Sequence, residues 1–566
     1  MLFKKYILPL MITLLFGGVY FYAAIPAINL RSAEFWSFFF FLILVYAVCH
    51  LIGRFGARGI RARATQHDFT KKPASKKCAR LVVLLAAVLA LGAAAIGLSS
   101  SAIFHADRYQ QMITVTDREF DEDIAELSFS QIPVVDKATA QRMGSRKLGD
   151  VVELVSQFDV SELYTQINYQ QTPVRISPLE YSSFIKWFVN RDAGIPYYVS
   201  IDMATQETEL VELAEGMKYS PSEYFGRNLL RHARFHYPTK MFDEASFEID
   251  DSGKPYWILS TYTYTIGVLG GKDIDGIIMI DAITGESDFY PVAEIPAWVD
   301  QVYSADMVTE QINNWGAYTN GYWNSIFAQT GVIAATEGYN YIALDDDVWL
   351  FTGLTSVVSD ESNIGFILVN LRTKESRRYN INGAEEFSAM ASAEGKVQEK
   401  GYKSTFPILL NIDGTPTYFV SLKDNAGLVK AYGFVSVSSY HNVAVGDTIA
   451  SAREEYVKLI AADQNAMGSA SNETVELTGT VERISTAVKD GNSYYYICLA
   501  GSHTVYVAPV SVGDFLPLLQ AGDQVCLTVP SSDKQYVEVL NARLEALAPA
   551  VSSEPAASET MAPTAE

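Results

Sequence analysis

Hydrophobic and polar positions divide the chain into an apolar N-terminal part and a longer remainder, in which short β-rich runs alternate with turns. The apolar part holds three stretches, at residues 6–30, 35–52 and 81–104. A helix needs roughly 20 apolar residues to cross a bilayer, so each stretch is a candidate span. In the remainder, alternating Tyr, Phe, Val, Ile and Thr indicate antiparallel sheet. The patterning predicts an α+β fold with three N-terminal transmembrane helices over residues 1–104.

Four helices are predicted within the remainder from apolar spacing, at residues 138–146, 305–314, 384–396 and 448–461. Another is indicated by Ser220-Pro221-Ser222-Glu223, which has the composition of a capping box with Pro at the first helical position. We expect that box to open a helix that continues through Leu229 and Phe235.

One phrase occurs three times, at Ile201–Thr208, Ile280–Ser287 and Val369–Ser376. Each copy reads apolar, Asp or Asn, two residues, Thr, one residue, Glu, then Ser or Thr, and the copies begin 79 and 89 residues apart. Repetition at a roughly fixed period indicates one supersecondary unit used several times. Asp or Asn after a strand can bond N–H groups two residues on, so each copy predicts a hairpin corner. A calcium site is the alternative, but one copy supplies two carboxylates at most.

A second repeated pattern is Gly-x-Pro followed by aromatic residues, at Gly194–Tyr198, Gly253–Trp257 and Gly414–Tyr418. A helix, such a hairpin, and a strand ending like Ile274–Glu286 together resemble the PepSY-like module of bacterial extracytoplasmic proteins. The resemblance implies small α+β modules, often linked to peptidase inhibition or local regulation at the cell envelope, with no catalytic residues to transfer. We expect a first PepSY-like region at residues 151–300 and a second at 301–463.

Basic residues indicate orientation. The loop at residues 54–80 holds nine Lys and Arg against the single acid Asp68. The positive-inside rule puts this loop and the N-terminus in the cytoplasm. The expectation is a multi-pass plasma-membrane protein whose large C-terminal part lies outside the cell. Cleavage of the first stretch as a signal peptide is the alternative, which its long apolar core disfavours.

Charge is distributed unevenly. Residues 1–104 hold 12 Lys and Arg against 2 Asp and Glu, whereas the remaining chain holds 31 against 63. So acidic an exterior repels phosphate backbones, which excludes nucleic acid as a partner. The partners expected are membrane lipid and another envelope protein, with no small-molecule ligand or cofactor identified.

Composition predicts the remaining boundaries. Residues 105–150 begin with the acidic run 117–126 and are expected to form a membrane-proximal, solvated stalk. Residues 464–473 are a linker by composition. Residues 474–548 show strands and a short helix in the order β-β-β-α-β-β, which resembles an OB-like small barrel. Residues 549–566 are rich in Ser, Pro, Ala and Glu and are predicted to be disordered.

Candidate chemistry is sparse. His232 and His236 lie four apart, but Arg residues surround them and no third metal ligand is indicated. Ser183 and Lys186 have the Ser-x-x-Lys spacing of penicillin-interacting enzymes without the partner motifs. His503 follows Cys498 across a predicted turn, which is no evidence for a catalytic pair. Pairing of Cys498 with Cys526 stays open. No catalytic, cofactor-binding or metal residue is therefore predicted, and the binding residues are unknown.

The function expected is a membrane-anchored extracytoplasmic scaffold that binds or regulates an envelope component, such as a peptidase or a membrane complex. The alternatives are an envelope hydrolase with a site assembled from scattered residues, and an accessory subunit of a transport complex. A buried pocket with clustered, perturbed carboxylates would favour the hydrolase.

Overall fold

The computed structural model describes residues 6–62, 91–125, 131–356, 359–470, 474–489, 492–513, 515–530 and 536–544. The chain divides into two compact units, Met1–Val457 and Lys458–Glu566. The predicted tail at 549–566 and residues 63–80 of the predicted basic loop lie outside the described residues.

The first unit contains most of the helices. In chain order they are α1 (Leu8–Ala24), α2 (Ala33–Ala62), α3 (Ala102–Gln110), α4 (Phe120–Asp123), α5 (Lys137–Gly149), α6 (Val152–Val155), α7 (Phe184–Asn190), α8 (Leu229–His236), α9 (Ala305–Tyr318), α10 (Tyr322–Ile326), α11 (Glu386–Lys396) and α12 (Ile449–Ala470). Residues 91–99 are also helical. Because α12 runs to Ala470, most of the segment predicted as a linker continues this helix.

Four sheets make up most of the first unit. Their strands are β1 (Val115–Asp117), β2 (Phe158–Val160), β3 (Thr165–Tyr169), β4 (Thr172–Tyr181), β5 (Ile195–Asp202), β6 (Thr208–Met217), β7 (Met241–Ile249), β8 (Pro255–Ile266), β9 (Gly270–Asp281), β10 (Ser287–Pro291), β11 (Ile333–Ala335), β12 (Asn340–Leu344), β13 (Asp347–Ser356), β14 (Ser359–Asn370), β15 (Ser376–Tyr379), β16 (Gly383–Ala384), β17 (Lys403–Ser404), β18 (Ile408–Ile412), β19 (Thr415–Lys423), β20 (Val429–Ser436) and β21 (Val443–Gly446).

The prediction of three transmembrane helices is wrong. Within the described residues, one helix is long and apolar enough to cross a membrane, at Ala33–His50 in α2, with a mean hydropathy of 1.7 and none of it buried. The apolar α1 has 17 residues, and it packs antiparallel beside α2 through Tyr20, which stacks on Phe38 and Phe41. The third predicted stretch lies partly outside the described residues, and its described helical part covers only 91–99.

Each of the four sheets contains an antiparallel meander of four consecutive strands, to which further short strands are added in three of them. The runs are β3–β6, β7–β10, β12–β15 and β18–β21, and each run follows a helix in the chain, respectively α5, α8, α9 and α11. The first strand β3 contacts both β7 and β12, and β12 also contacts β18. The repeated unit is therefore one helix and one four-stranded sheet, used four times around a shared centre.

The three copies of the phrase occupy the same corner, between the third and fourth strands of their sheets. The N–H groups of Asp202, Asp281 and Asn370 donate to the carbonyls five residues on, at 2.9–3.0 Å. The side-chain oxygen of each accepts from the N–H groups two and three residues on, at 2.8–3.0 Å. The hairpin-corner prediction is confirmed, since the side chain fixes the turn in every copy.

A fourth corner exists that the sequence comparison missed. Ser436 ends β20, its N–H donates to the carbonyl of Asn442 at 3.0 Å, and its hydroxyl accepts from the N–H of Ser439 at 3.3 Å. In every sheet, the residue that directly follows this Asp, Asn or Ser donates its N–H to a backbone carbonyl at the start of the second strand. These bonds are Met203 to Pro173 at 3.0 Å, Ala282 to Pro255 at 3.2 Å, Leu371 to Val348 at 3.0 Å and Val437 to Pro416 at 3.3 Å. The four sheets share one hydrogen-bond plan.

The helix predicted from the capping box starts elsewhere. Helix α8 begins at Leu229, with Asn228 as the capping residue, whose side chain accepts from the N–H of Arg231 at 3.3 Å. Glu223 instead turns inward and accepts hydrogen bonds from Trp187 Nε1 at 2.5 Å and the Tyr181 hydroxyl at 3.1 Å. Glu223 therefore does not cap a helix, because its carboxylate is buried and hydrogen-bonded to these two side chains.

The acidic run after the membrane segment packs on the third sheet and is not a solvated stalk in its described part. Strand β1 pairs in parallel with β15, and Asp117 binds Arg378 at 2.7 Å. Phe120 is buried edge-on against Tyr379, which donates its hydroxyl to Asp123. Two arginines on β15 and a buried aromatic contact account for the attachment.

One hydrophobic core of the first unit lies between the second sheet, α9 and the third sheet. Ile258 and Ile277 of the second sheet, Val308 and Ile312 of α9, and Leu350 of the third sheet are fully or almost fully buried there. Burying such side chains is worth about 1.5–3 kcal/mol each, so this cluster fixes the two sheets relative to each other.

The second unit is a small closed barrel. Its strands are β22 (Thr474–Lys489), β23 (Asn492–Leu499), β24 (Val505–Pro509), β25 (Gln524–Pro530), β26 (Tyr536–Glu538) and β27 (Asn541–Leu544). Strand β22 pairs with β23 along one half and with β25 along the other. The segment of β26 and β27 pairs with β24 and then with β25, because Val539 donates to Val507 and Leu540 donates to Thr528, both at 2.9 Å. This switch of partner closes the sheet.

Candidate functional site

A cavity of about 620 Å³ lies where the four sheets meet. Its wall comes from the first strands β3, β7 and β12, from the chain before β18, from the start of α5, and from the loop that enters α9. The lining residues used below are Asp136, Tyr164, Gln166, Arg175, Asp243, Glu244, Asp306 and Tyr341. Ligand pockets of this volume are common at such junctions, and this wall is rich in ionisable groups.

Arg175 is the most unusual group in the wall. It lies in β4 between Val174 and Ile176 and is 5% exposed, and its Nη2 donates to Gln166 Oε1 at 3.0 Å. Its buried Nε has no hydrogen-bond partner, and among the described residues no carboxylate lies within ion-pair distance of the guanidinium. Burial lowers the pKa of Arg175, although Tyr341 and Asp136 act in the opposite direction. A buried, unpaired guanidinium of this kind is costly.

Acidic side chains enter the cavity from a bulge in β7. The pairing of β7 with β8 shifts between Phe242 and Ala245, which leaves Asp243 and Glu244 outside the regular ladder. Bulges re-aim side chains in this way. Asp243 is held by Lys272 and by the Ser304 hydroxyl, at 3.2 Å for the latter. The bulge therefore delivers one paired and one unpaired carboxylate to the cavity.

Glu244 carries the perturbed carboxylate. Its pKa is raised by burial first, and then by the charges of Asp243 and Asp306. Glu244 forms no hydrogen bond or ion pair with any residue in the described part of the chain. Glu244 is an exposed residue that lies in the cavity wall, where the surrounding protein still removes part of its hydration. A carboxyl group in such a place can hold a proton or bind a cation.

Tyr341 connects the two ends of the wall. Burial raises its pKa, the charge of Glu244 adds to that rise, and the charge of Arg175 opposes it. Both charges therefore act on the same phenol. The carbonyl of Tyr341 accepts from Gln166 Nε2 at 3.5 Å, which links β12 to β3 across the cavity. The cavity presents a positive and a negative group to one enclosed space.

Behind the cavity lies a second group of buried carboxylates with a structural role. Glu248 is fully buried and accepts from the N–H groups of Asp300 at 2.8 Å and Gln301 at 3.1 Å. Asp300 accepts from the N–H of Asn168 at 2.7 Å. Burial and the neighbouring Glu248 raise the pKa of Asp300 well above its usual range. These bonds hold the loop that enters α9 against β3 and β7.

The residues weighed from the sequence lie away from the cavity wall. His232 Nε2 bonds the carbonyl of Gly285 at 2.8 Å, and Ser183 caps α7 by accepting from the N–H of Lys186 at 3.4 Å. Cys498 and Cys526 are free thiols in the barrel. Within the described ranges no group of three His, Cys, Asp or Glu side chains is arranged to hold a metal ion.

Sequence reasoning named none of the cavity residues. Arg175 had one detectable signal, since it is a charged residue inside a strand whose other positions from Pro173 to Leu179 are all buried. Glu244 had no such signal, because the bulge that places it at the cavity is set by pairing with β8.

No protein-family model matches the chain, so the PepSY-like resemblance stays a prediction. No curated protein matches it either. Among solved structures, an ancestral GH74 enzyme is 13% identical with a TM-score of 0.15. The match covers 61% of this chain and 41% of that enzyme. A B. megaterium levansucrase variant is 9% identical, with a TM-score of 0.17 and coverage of 74% of this chain and 93% of that one. A Trypanosoma rangeli sialidase is 9% identical with a TM-score of 0.14, and the match covers 67% of this chain and 53% of that one. Likeness at this level carries no functional argument.

Proposed function

We propose that this protein is a membrane-anchored extracytoplasmic binding protein whose central cavity takes a small ligand bearing an anionic group. The observation that carries the proposal is Arg175, a buried guanidinium in the cavity wall without a carboxylate partner in the described residues. Burying an unpaired charge costs several kcal/mol, and a ligand carboxylate or phosphate in the cavity would offset that cost. The planar guanidinium suits bidentate binding of either group.

Membrane anchoring is supported by the N-terminal helices. The apolar segment Ala33–His50 is unburied, and the turn before it is bound to the globular part of the unit. Ile28 donates to the carbonyl of Pro238 at 2.7 Å, and Arg31 donates to the carbonyl of Tyr264. The basic residues of 54–80 begin in the C-terminal part of α2, at the end opposite to that turn, and continue beyond it in the chain. Basic residues favour the cytoplasmic side, so the four sheets belong outside the plasma membrane.

Regulation of an envelope partner is the role that best fits a ligand-binding domain at this location. The strongly acidic exterior disfavours nucleic acid and leaves envelope proteins and lipid as partners. The PepSY-like resemblance points in the same direction. In this proposal, binding of the small molecule in the cavity regulates another envelope protein.

Thermal unfolding of the full chain in lipid nanodiscs tests the cavity. Acetate, succinate and inorganic phosphate serve as probes, and at least one should raise the midpoint of the first unit in a concentration-dependent way. Arg175→Gln should abolish that rise while leaving the unliganded midpoint equal or higher, because the buried charge is gone. Arg191→Gln is the matched control, since this arginine is 40% exposed and outside the cavity lining. Equal responses of wild type and Arg175→Gln to every probe would refute the proposal.

A hydrolase is the second candidate, and Glu244 is the observation that favours it. A carboxyl group with a raised pKa, beside Asp243 and Asp306 in a cavity wall, has a property of a general acid. The two candidates differ in the fate of the ligand. Mass spectrometry of a ligand recovered after incubation should return it unchanged if the cavity only binds, and changed in wild type but unchanged with Glu244→Gln if it hydrolyses.

A further inference from the structure

Two clusters of exposed apolar side chains flank the place where the N-terminal helices meet the globular part of the first unit. The first wing consists of Phe184, Ile185, Phe188 and Val189 on α7 together with Phe225, all between 48% and 71% exposed. The second wing consists of Trp323 and Ile326 on α10 and the following Phe327, between 50% and 76% exposed. Large apolar groups clustered in this way on a surface mark a contact with something else.

The first wing has a rigid base. Residues 184, 185, 188 and 189 share the outer face of α7, whereas Trp187 on the inner face is buried and donates its indole N–H to Glu223. Trp187 also packs against Tyr224 and Phe225 at ring-centroid distances of 4.8 and 5.8 Å. The buried Trp187 therefore fixes α7 in place, so the exposure of its outer face does not arise from a loosely packed helix.

One arginine joins the first wing to the end of α1. Arg231 donates from Nη1 to the carbonyl of Phe225 at 2.9 Å and from Nε to the carbonyl of Tyr22 at 3.3 Å. Its guanidinium also lies 4.5 Å from the centre of the Tyr22 ring. Phe235, in the same helix α8, contacts Phe21 edge-on at 6.0 Å. The first wing therefore lies at the level of the last turn of an apolar helix.

The second wing is joined to the segment that follows residues 91–99. Tyr109 of α3 donates its hydroxyl to the carbonyl of Ser100 at 2.7 Å. From Tyr109 a series of ring contacts runs through Tyr318 and Tyr322 to Trp323, at centroid distances of 6.4, 6.3 and 5.4 Å. A row of aromatic side chains therefore connects α3 to the second wing.

Both junctions meet at the hairpin between β8 and β9. Arg31 of the turn between α1 and α2 donates to the carbonyl of Tyr264, and Arg108 of α3 donates to the carbonyl of Thr265 at 2.7 Å. The Ser100 hydroxyl accepts from the N–H groups of Val268 and Leu269 at 3.1 and 3.0 Å. The N-terminal segments are therefore attached to the four sheets at this hairpin, and each wing is joined to one of those segments by the contacts above.

We infer that the two wings insert into the lipid headgroup layer and hold the four-sheet unit flat against the membrane. The inference rests on the proposed anchoring and goes beyond it by naming the surface that touches lipid. Exposed apolar side chains gain by burial at the boundary of this layer, and Trp323 suits it because its indole combines an apolar ring with a polar N–H. Lys186, Arg191 and Arg227 beside the first wing suit anionic headgroups, although the exterior as a whole is acidic.

Lipid-borne quenching on the full chain tests the inference. Single cysteines replace Phe188, Phe327, Leu44 or Phe387 in a background with the four native cysteines changed to serine, and each carries an environment-sensitive fluorophore. The protein is reconstituted in vesicles of phosphatidylcholine and phosphatidylglycerol, with or without brominated lipid. Leu44 lies on the exposed face of α2 and controls for anchoring, and Phe387, exposed on α11 over the fourth sheet, is the matched aromatic control.

Labels at 188 and 327 should lose at least about half of their emission with brominated lipid, as the label at 44 does, while the label at 387 keeps its emission. Quenching at 44 without quenching at 188 and 327 overturns the inference and leaves the anchoring intact. An unquenched label at 44 overturns both. Ile185→Cys, at a 70% exposed position of the same face, repeats the reading if labelling at 188 lowers the thermal midpoint.

Discussion

Replacing Asp281 with alanine removes the side chain that organises the corner of the second sheet. Asp281 is 5% exposed, and its Oδ1 accepts from the N–H groups of Ile283 at 2.8 Å and Thr284 at 3.0 Å. Its Oδ2 lies 2.7 Å from Lys254 Nζ. Each backbone bond is worth about 1 kcal/mol net, and the half-exposed lysine adds at most ~1 kcal/mol. We expect Asp281→Ala to destabilise this corner by about 2–3 kcal/mol.

Two variants separate the turn from the ion pair. Asp281→Asn keeps an acceptor for both N–H groups, as Asn370 does naturally in the third sheet, and should cost at most about 1 kcal/mol. Asp202→Ala removes the same two backbone bonds from the first sheet, where no ion pair is present among the described residues, and should cost about 1–2 kcal/mol.

Hydrogen exchange is the suitable assay, because a chain of two units need not unfold in one step. Peptides covering β9 and β10 should exchange roughly thirtyfold faster in Asp281→Ala, which corresponds to about 2 kcal/mol. Peptides from the fourth sheet should be unchanged. Equal acceleration by Asp281→Asn and Asp281→Ala would refute the reasoning, since the turn bonds would then contribute nothing.

The same corner predicts a dependence on pH. Burial alone would raise the pKa of Asp281, but the hydrogen bonds from Lys254 and from the N–H groups of Thr284 and Ile283 lower it overall. A lowered pKa in the folded state contributes stability above the unfolded pKa of about 3.9, and this contribution is lost as the pH falls through the folded value. The difference in exchange between wild type and Asp281→Ala should therefore narrow only in acid, below about pH 4.

Two further predictions concern the second sheet and the loop into α9. Gly285→Ala should destabilise more than Gly414→Ala in thermal unfolding, because both have a left-handed φ, of 77° and 74°, but only at Gly285 would the new Cβ meet the Tyr219 ring; equal costs would contradict this. Asp300→Asn should lessen the fall in stability as the pH rises above about 4, because a carboxyl group whose pKa is raised on folding loses its stabilising contribution as the pH rises from the unfolded pKa through the folded pKa. An unchanged pH profile would contradict the burial of its proton near Glu248.

Local patterns predicted local structure well. The phrase with Asp281 specifies a corner because its side chain bonds N–H groups only two and three residues away. The order of the strands in the second unit was predicted because alternation and turns bound each of them, although the last predicted strand is divided into β26 and β27. Such features depend on neighbours in the sequence.

Features that depend on residues far apart in the chain could not be predicted from the sequence. Ser436 makes the fourth corner with a serine and a loop one residue longer, so no phrase marks it. Gly194-Ile195-Pro196 starts the third strand of the first sheet, while Pro173 occupies the position of Pro255 and Pro416. The capping box failed because Glu223 finds buried partners on β4 and α7.

The candidate site could not be predicted for the same reason. Its charged groups come from β4, from a bulge in β7 and from the start of α9, which are far apart in the chain. Only the packing of the first strands around one centre brings Arg175 and Glu244 near the same tyrosine. Hydropathy also predicted more membrane helices than the described residues contain, since an apolar composition does not specify the length of a helix.

Native mass spectrometry of the full chain, taken from its own membranes into nanodiscs without added ligand, tests the central claim most directly. The account predicts a small anionic molecule bound to the wild type, retained by Arg191→Gln and lost from Arg175→Gln, with both variants folded by thermal unfolding. The same bound masses on wild type and Arg175→Gln, or an unoccupied wild type that acetate, succinate and phosphate do not stabilise, would contradict it.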